Sequence, residues 1–314
     1  MMMMEDDGSV GKRLLRAVQQ DDTSETERIL DECVSVLRGP VDGGDGGGTC
    51  VDVNNARGGD GGSVLHEAAA RGKCDLCRQL LEFGADAHSR DWSGKLPLHW
   101  AAWSGHVNVC RMLLEEGGTN VNVPNNSKYT ALHWAAGRGY IELCGLFVDG
   151  FDANVHSADD SGQTPLHWAV MYNHVHICTF LVDRGANVNA RDLFGRTPLF
   201  WAIDEGHANV CAVLLENGAD TSVTADGGTT PLMHAVVSNR TVIVDMLLRQ
   251  KDIDLHATNN SGDSVLDILR TKSDMLDISR SVMRALHRQL VVVAYHVIDS
   301  AILEEDKDAA VERQ

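Results

Sequence analysis

TPLHWAVMYNH, residues 164–174, decides the fold, because the chain carries the same stretch again and again. SVLHEAAARGK begins at Ser63, LPLHWAAWSGH at Leu96, TALHWAAGRGY at Thr130, TPLFWAIDEGH at Thr197 and TPLMHAVVSNR at Thr230. The position of His66 recurs as His99, His133, His167, Phe200 and Met233, in steps of 33, 34, 34, 33 and 33 residues. A fixed period of this size marks an array of supersecondary units. After each copy comes a second apolar stretch, such as VNVCRMLLEEG from Val107 or ANVCAVLLENG from Ala208, and then a turn such as GANVNARDLFG from Gly185.

The physics of one unit follows from its residues. Thr164, Thr197 and Thr230 each precede a proline. A Thr hydroxyl can cap a helix N-terminus, and Pro fits the first helical position because its missing N–H had no partner there. The first helix is short and is expected to end at Gly72, Gly105, Gly139, Asn173, Gly206 and Asn239, residue types that tolerate the left-handed backbone of a helix end. The second helix carries apolar residues at three- and four-residue spacing, for example Val210, Cys211, Leu214 and Leu215. One such pair cannot bury both faces, so neighbouring units must supply the core.

Through T-P-L-H-x-A-A, G-H and L-L-x-x-G-A-x-x-N, the chain resembles the ankyrin-repeat family over roughly residues 10 to 290. The resemblance implies an all-α repeat solenoid: stacked helix-turn-helix units with hairpin-like loops, capped by a C-terminal helix. It further implies a non-catalytic module that binds a partner protein along its concave surface. Residues 1–9 read as a disordered tail. Residues 10–62 read as a degenerate first repeat, with a flexible glycine-rich insertion at 39–49, and 63–262 as six regular repeats. Residues 263–303 read as a degenerate last repeat with a capping helix, and 304–314 as a polar tail. Two departures stand out. Lys128 replaces a loop glycine, and extra residues precede His156 in VDGFDANVHSADD, so that loop is expected to project differently.

Composition narrows the partner class. Apolar residues make up 43 %, enough for a packed interior, and 45 acidic against 27 basic residues give a net charge of -18. Such a surface repels phosphate backbones and anionic lipid, which argues against nucleic-acid and membrane partners. The start, MMMMEDDGSV, lacks the basic and apolar regions of a signal peptide, and LVVVAYHVIDSAIL from Leu290 is too short to span a bilayer. Eight cysteines without a disulfide framework fit a reducing compartment, so a cytoplasmic and also nuclear location is expected. The sequons at Asn125, Asn239 and Asn259 are then chance matches.

Candidate chemistry dissolves into the repeat. Cys77, Cys110, Cys144, Cys178 and Cys211 occupy one second-helix slot. Stacked helices lie about 8–10 Å apart, too far for zinc ligands that converge within about 2.3 Å or for disulfide Cα atoms within about 7 Å. Cys74 and Cys77 match C-x-x-C but lack a second ligand pair. His66, His99, His133 and His167 are rungs of a ladder, to which the family assigns hydrogen bonds between neighbouring units. Trp100, Trp134, Trp168 and Trp201 follow the motif His or its replacement and are expected to pack in the seam, with an edge left to a partner. Gly43–Gly48 lacks the Lys-Ser/Thr of a phosphate loop. No catalytic constellation appears and no cofactor or metal is expected.

In the family, partners are read by loop tips and by the two residues before the glycine that ends the first helix. Carried over position by position, the free positions include Trp92, Lys95, Trp103, Tyr129, Arg138, Asp160, Met171, Tyr172, Phe194, Arg196, Asp204 and Glu205, with Asp159 among the loop residues. Trp, Tyr and Arg dominate binding hot spots, so a continuous stripe is expected over the third to sixth units. Asn54, Asn122 and Asn189 match a loop slot that is hydroxylated in some members. Met283, Leu286, Leu290, Val293 and Val297 form an apolar seam that caps the array or, through 278–303, self-associates. Ala285 to Ala294 resembles the elongin-binding segment of ankyrin adaptors that recruit ubiquitin ligases, with Leu290 where that pattern carries Cys. The alternatives to a simple binding module are therefore a ubiquitin-ligase substrate adaptor or an inhibitory regulatory subunit of an enzyme.

Overall fold

A computed structural model describes residues 10–38, 54–271 and 275–288. The insertion at 39–49, both terminal tails and the stretch beyond residue 288 lie outside the described residues. The architecture is all-α and repetitive, and no strand forms among the described residues. The chain divides into two compact units, Met1–Asn187 and Val188–Gln314.

In the first unit the helices come in pairs: α1 (Val10–Gln19) with α2 (Thr23–Arg38), α3 (Val64–Ala70) with α4 (Cys74–Glu82), and α5 (Pro97–Ser104) with α6 (Val107–Glu115). They continue as α7 (Ala131–Arg138) with α8 (Ile141–Gly145) and α9 (Pro165–Met171) with α10 (Val175–Asp183). First helices stack on first helices, α3 on α5, α5 on α7 and α7 on α9. The stack places Leu65, Ala68, Leu98, Ala101, Leu132 and Ala135 in the core, each essentially inaccessible to water. Each first helix stops where expected. Gly72, Gly105, Gly139 and Asn173 all take positive φ, between 59° and 85°.

Helix starts differ from the expectation in an instructive way. The Thr hydroxyl is not the cap where the motif His is present. The backbone N–H groups of Ser63, Leu96, Thr130 and Thr164 donate to Nδ1 of His66, His99, His133 and His167, at 3.1, 2.9, 3.1 and 3.1 Å. An N–H can only donate, so Nδ1 is the unprotonated nitrogen and Nε2 carries the hydrogen. The Nε2–H then reaches the next loop, donating to the carbonyls of Lys95, Val123 and Gln163 from His66, His99 and His133. The hydroxyls of Ser63, Thr130 and Thr164 sit 2.9–3.0 Å from the same Nδ1 atoms.

The loops form a second ladder. In each, a backbone bond closes the tip, as from Asp91 N to the Lys95 carbonyl, Asn125 N to Tyr129 and Asp159 N to Gln163. Each tip also bonds its predecessor: Trp92 N to the Asp60 carbonyl, Asn126 N to Ser93 and Asp160 N to Ser127. Asn54 and Asn122 staple adjacent turns, donating to the carbonyls of Gly84 and Asp152 and accepting from the N–H of Asp86 and Asn154. The loop of 153–163 was expected to project differently, and it does not. Its tip makes the same bonds as its neighbours. The extra residue is absorbed upstream by a π-helical turn, Leu146–Gly150, which widens α8 by one residue. Lys128 adopts φ 63° where the neighbouring loops carry Gly94 and Gly162 at 76° and 77°, so the lysine keeps the glycine conformation.

The second unit repeats the plan with α11 (Pro198–Glu205), α12 (Ala208–Glu216), α13 (Pro231–Val237), α14 (Thr241–Leu247) and α15 (Val265–Thr271). Here Met233 replaces the motif His, and Thr230 reverts to an ordinary hydroxyl cap, accepting from the Met233 N–H at 3.2 Å. Asn189 staples Gly218 and Asp220 as its counterparts do. Residues 276–288 are helical. They bury Ile278, Val282 and Ala285, whereas Met283 of the expected seam is 59 % exposed. The packing stripe is thus turned by one residue from the seam read in the sequence, and the rest of that seam lies outside the described residues. The slot cysteines are buried, and burial pushes Cys77, Cys144, Cys178 and Cys211 up to about 12. They behave as small hydrophobes. No helix among the described residues is long and apolar enough to cross a membrane.

The histidine ladder makes stability depend on pH. Burial depresses His66 and pushes His99 and His133 down to about 4. In the unfolded chain they titrate near 6.5, so between about pH 6.5 and 4 the unfolded state binds more protons and acid favours unfolding. Each of His99 and His133 contributes about 3 kcal/mol that is present above pH 6.5 and lost as pH falls toward 4. The urea midpoint should therefore drop steadily from pH 7 to pH 4.5, and less steeply in His133→Gln. A flat profile over that range contradicts the neutral-imidazole bridge.

Candidate partner-binding surface

The scaffold uses the inward half of each first helix and the closed loop tips. The last turn of each first helix and the loop residue before it remain available. In the first unit these positions bring rings together. Trp103, at the end of α5, meets Trp134 edge-on at 4.8 Å between centroids. Trp134 meets Trp168 at 5.4 Å, and Tyr129 from the intervening loop touches both, at 5.1 and 4.9 Å. Trp168 continues to Tyr172 at 6.3 Å. Edge-to-face geometry of this kind is the favoured arrangement of aromatic pairs. The cluster is continuous from Trp103 to Tyr172, so these two residues lie on one side of the unit. Gly137 permits the approach: a Cβ there would fall 2.8 Å from Trp168 Cε3.

Cations flank the rings. The Arg138 guanidinium lies 3.7 Å from the Trp103 ring centroid, and Lys95 Nζ lies 5.6 Å from that of Trp134. Two open clefts flank the shared wall of Trp103 and Trp134. One, of about 340 Å³, is also lined by Lys95, Trp100 and Ser104. The other, of about 320 Å³, is lined by Arg138, Trp168 and Tyr172.

A carboxylate braces each tryptophan from below. Trp100 Nε1 donates to Asp91 Oδ2 at 2.9 Å and Trp168 Nε1 to Asp159 Oδ2 at 3.2 Å. The other oxygen of each Asp accepts loop N–H groups, from Ser93 and Lys95 or from Ser161 and Gln163. Burial works against the Asp91 charge, yet the Lys95 N–H, the indole and Ser93 outweigh it and hold the carboxyl below its usual range. Trp134 breaks the pattern. Its loop partner is Asn125, whose Oδ1 accepts from Ser127 and Tyr129 N–H but whose other branch is an amide donor. Trp134 Nε1 is consequently buried without a hydrogen-bond partner.

Of the residues expected at the surface, Trp103, Tyr129, Arg138, Tyr172 and Lys95 converge on this cluster, with Met171 half-buried beside Tyr172. Trp103 and Tyr172 expose 44 % and 53 % of their surface. Trp92, 74 % exposed, stays apart at its loop tip, where its ring lies against Gly61. Asp160 pairs with Lys128 at 3.1 Å at the neighbouring tip. Asp159, taken from the sequence as a free loop residue, is instead buried as the Trp168 brace. Phe194, Arg196, Asp204 and Glu205 belong to the second unit. There Arg196 stacks on Phe194 and Trp201, at 5.1 and 4.1 Å, and bonds Asp192, while Asp204 is engaged by His234 and Arg196. Glu205 is exposed. Trp134 and Trp168, expected from the sequence to pack in the seam, form the floor of the cluster. Their signal was present in the 34-residue recurrence directly after the motif His.

A family model described as Ankyrin repeats (3 copies) matches residues 14–125, 117–192 and 189–259. The chain belongs to the ankyrin-repeat family, whose members generally mediate protein–protein interactions. No curated protein matches the chain in sequence.

Replacing Asn125 by Asp should restore the missing acceptor under Trp134, as Asp91 and Asp159 do for their indoles. Satisfying a buried donor is worth about 1–2 kcal/mol, so Asn125→Asp should raise the thermal midpoint by a few degrees. Asp91→Asn should lower it. An unchanged or lowered midpoint for Asn125→Asp refutes this account of the brace.

Proposed function

We propose that this chain is a non-catalytic interaction module that receives a partner protein on the aromatic face of its first unit. What supports the reading is the run of rings from Trp103 to Tyr172, in which Trp103, Tyr129 and Tyr172 stand at positions where the repeat demands no side chain of this kind. The core of a first helix is complete with Leu98, Ala101 and Ala102. Half-exposed Trp103 and Tyr172 add little to it, and exposed aromatics that cluster rather than scatter mark interaction sites. In the second unit the positions of Trp103, Tyr129 and Tyr172 are held by Asp204, Arg196 and Glu205, of which Asp204 and Arg196 are engaged in a local ion network. The module acts in the cytoplasm and nucleus on this reading.

The test is affinity capture with the full chain against a variant carrying Trp103→Ala and Tyr172→Ala. The pair should lose the captured partner while the thermal midpoint changes by no more than a few degrees. A control, Arg111→Ala on α6, should retain it. Capture of undiminished strength by the double variant removes this face from consideration.

A further inference from the structure

Resting on that docking reading and going beyond it, we propose that the segment received by the aromatic face is acidic: a stretch of the partner in which Asp or Glu side chains flank a large apolar residue. Three observations meet here. Each cleft beside the Trp103–Trp134 wall has one cation, Lys95 in one and Arg138 in the other, and no carboxylate lines either. In a chain with 45 acidic and 27 basic residues, a surface strip of this sign runs against the composition.

The second observation is pairing. Arg13, Lys73, Arg78, Lys128 and Arg184 of the same unit all pair with carboxylates. Lys95 and Arg138 pair with none among the described residues; their contacts are with rings. Covering the clefts strips water from two cations, a cost that carboxylates on the incoming chain offset better than neutral acceptors do, because charge-assisted hydrogen bonds are the stronger ones.

The third is preorganisation. The Arg138 guanidinium lies over the Trp103 ring with its carbon 3.7 Å from the centroid, and a guanidinium held this way can offer its N–H groups to a carboxylate bidentately. Stacking fixes the fork before any ligand arrives, which lowers the ordering cost of binding. The ring floor of Trp134, Tyr129 and Trp168 supplies the apolar contact between the two charges.

The experiment selects a displayed random peptide library on the immobilised full chain. The recovered peptides should lose binding to Trp103→Ala and carry Asp or Glu within a residue or two of an aromatic or aliphatic side chain. Lys95→Gln and Arg138→Gln should each weaken such a peptide by about tenfold. Arg138→Lys should weaken it less, and a chain with both Lys95→Glu and Arg138→Glu should select basic peptides instead. Matching thermal midpoints establish that these substitutions leave the fold intact. Peptides that depend on Trp103 but lack acids, or that ignore both glutamine variants, overturn this inference and leave the docking reading standing. Failure to recover any Trp103-dependent peptide overturns both. Self-association in sedimentation equilibrium that Trp103→Ala abolishes identifies a second copy as the occupant and overturns the proposal of an acidic partner segment.

Discussion

An imidazole held neutral in the interior ties neighbouring repeats together within the first unit. Its Nδ1 accepts the N–H at the start of its own helix, and its Nε2–H reaches the carbonyl of the following loop, as His66 does at 3.1 and 3.0 Å. A buried polar ring that satisfied only one of these would cost free energy. With both made, it fixes helix entry and loop position at once. In these repeats one side chain therefore helps to set the register between neighbours. The loop-tip backbone bonds and the asparagine staples hold the same register from the outside.

Because the register is fixed from within, local departures are absorbed instead of propagated. The extra residue before Asp152 becomes a π-helical turn, and the next loop closes as the others do. Lys128 takes a left-handed backbone that a glycine would adopt more easily. Where Met233 removes the imidazole, the Thr230 hydroxyl caps the helix directly. Phe200 in place of the imidazole leaves the Thr197 hydroxyl buried without a partner, and Asn125 leaves a further deficit, since an amide cannot both serve the loop N–H groups and accept the Trp134 indole. That deficit sits beneath the centre of the aromatic cluster.

The same division explains why the surface is free to vary. Core positions on the first helices are mostly small or aliphatic, and the first helices within each unit pack on one another. The last turn and the loop residue before the helix face outward. In the first unit they hold rings and cations that contact one another, which stiffens the face without burying it. Rigid, half-exposed aromatics lose little conformational freedom when a partner covers them.

The sequence by itself determined the repeat, its period, the helix pairs and the glycine or asparagine stops, because each rests on local chemistry: a motif His, a proline at the first helical position, a residue that tolerates positive φ. It also placed Trp103, Tyr129, Arg138 and Tyr172 at positions the scaffold leaves open. Only the tertiary structure decided which of these meet. Tyr129 and Trp168 are 39 residues apart in the chain and 4.9 Å apart in space, whereas Trp92 remains alone on its loop. It also decided that Asp159 is a buried brace, that the C-terminal helix packs through Val282 and not Met283, and that the π turn restores the loop register. Periodicity specifies which residues share a face within one unit, but side-chain direction across units depends on stacking distance and rotation, which no single repeat encodes.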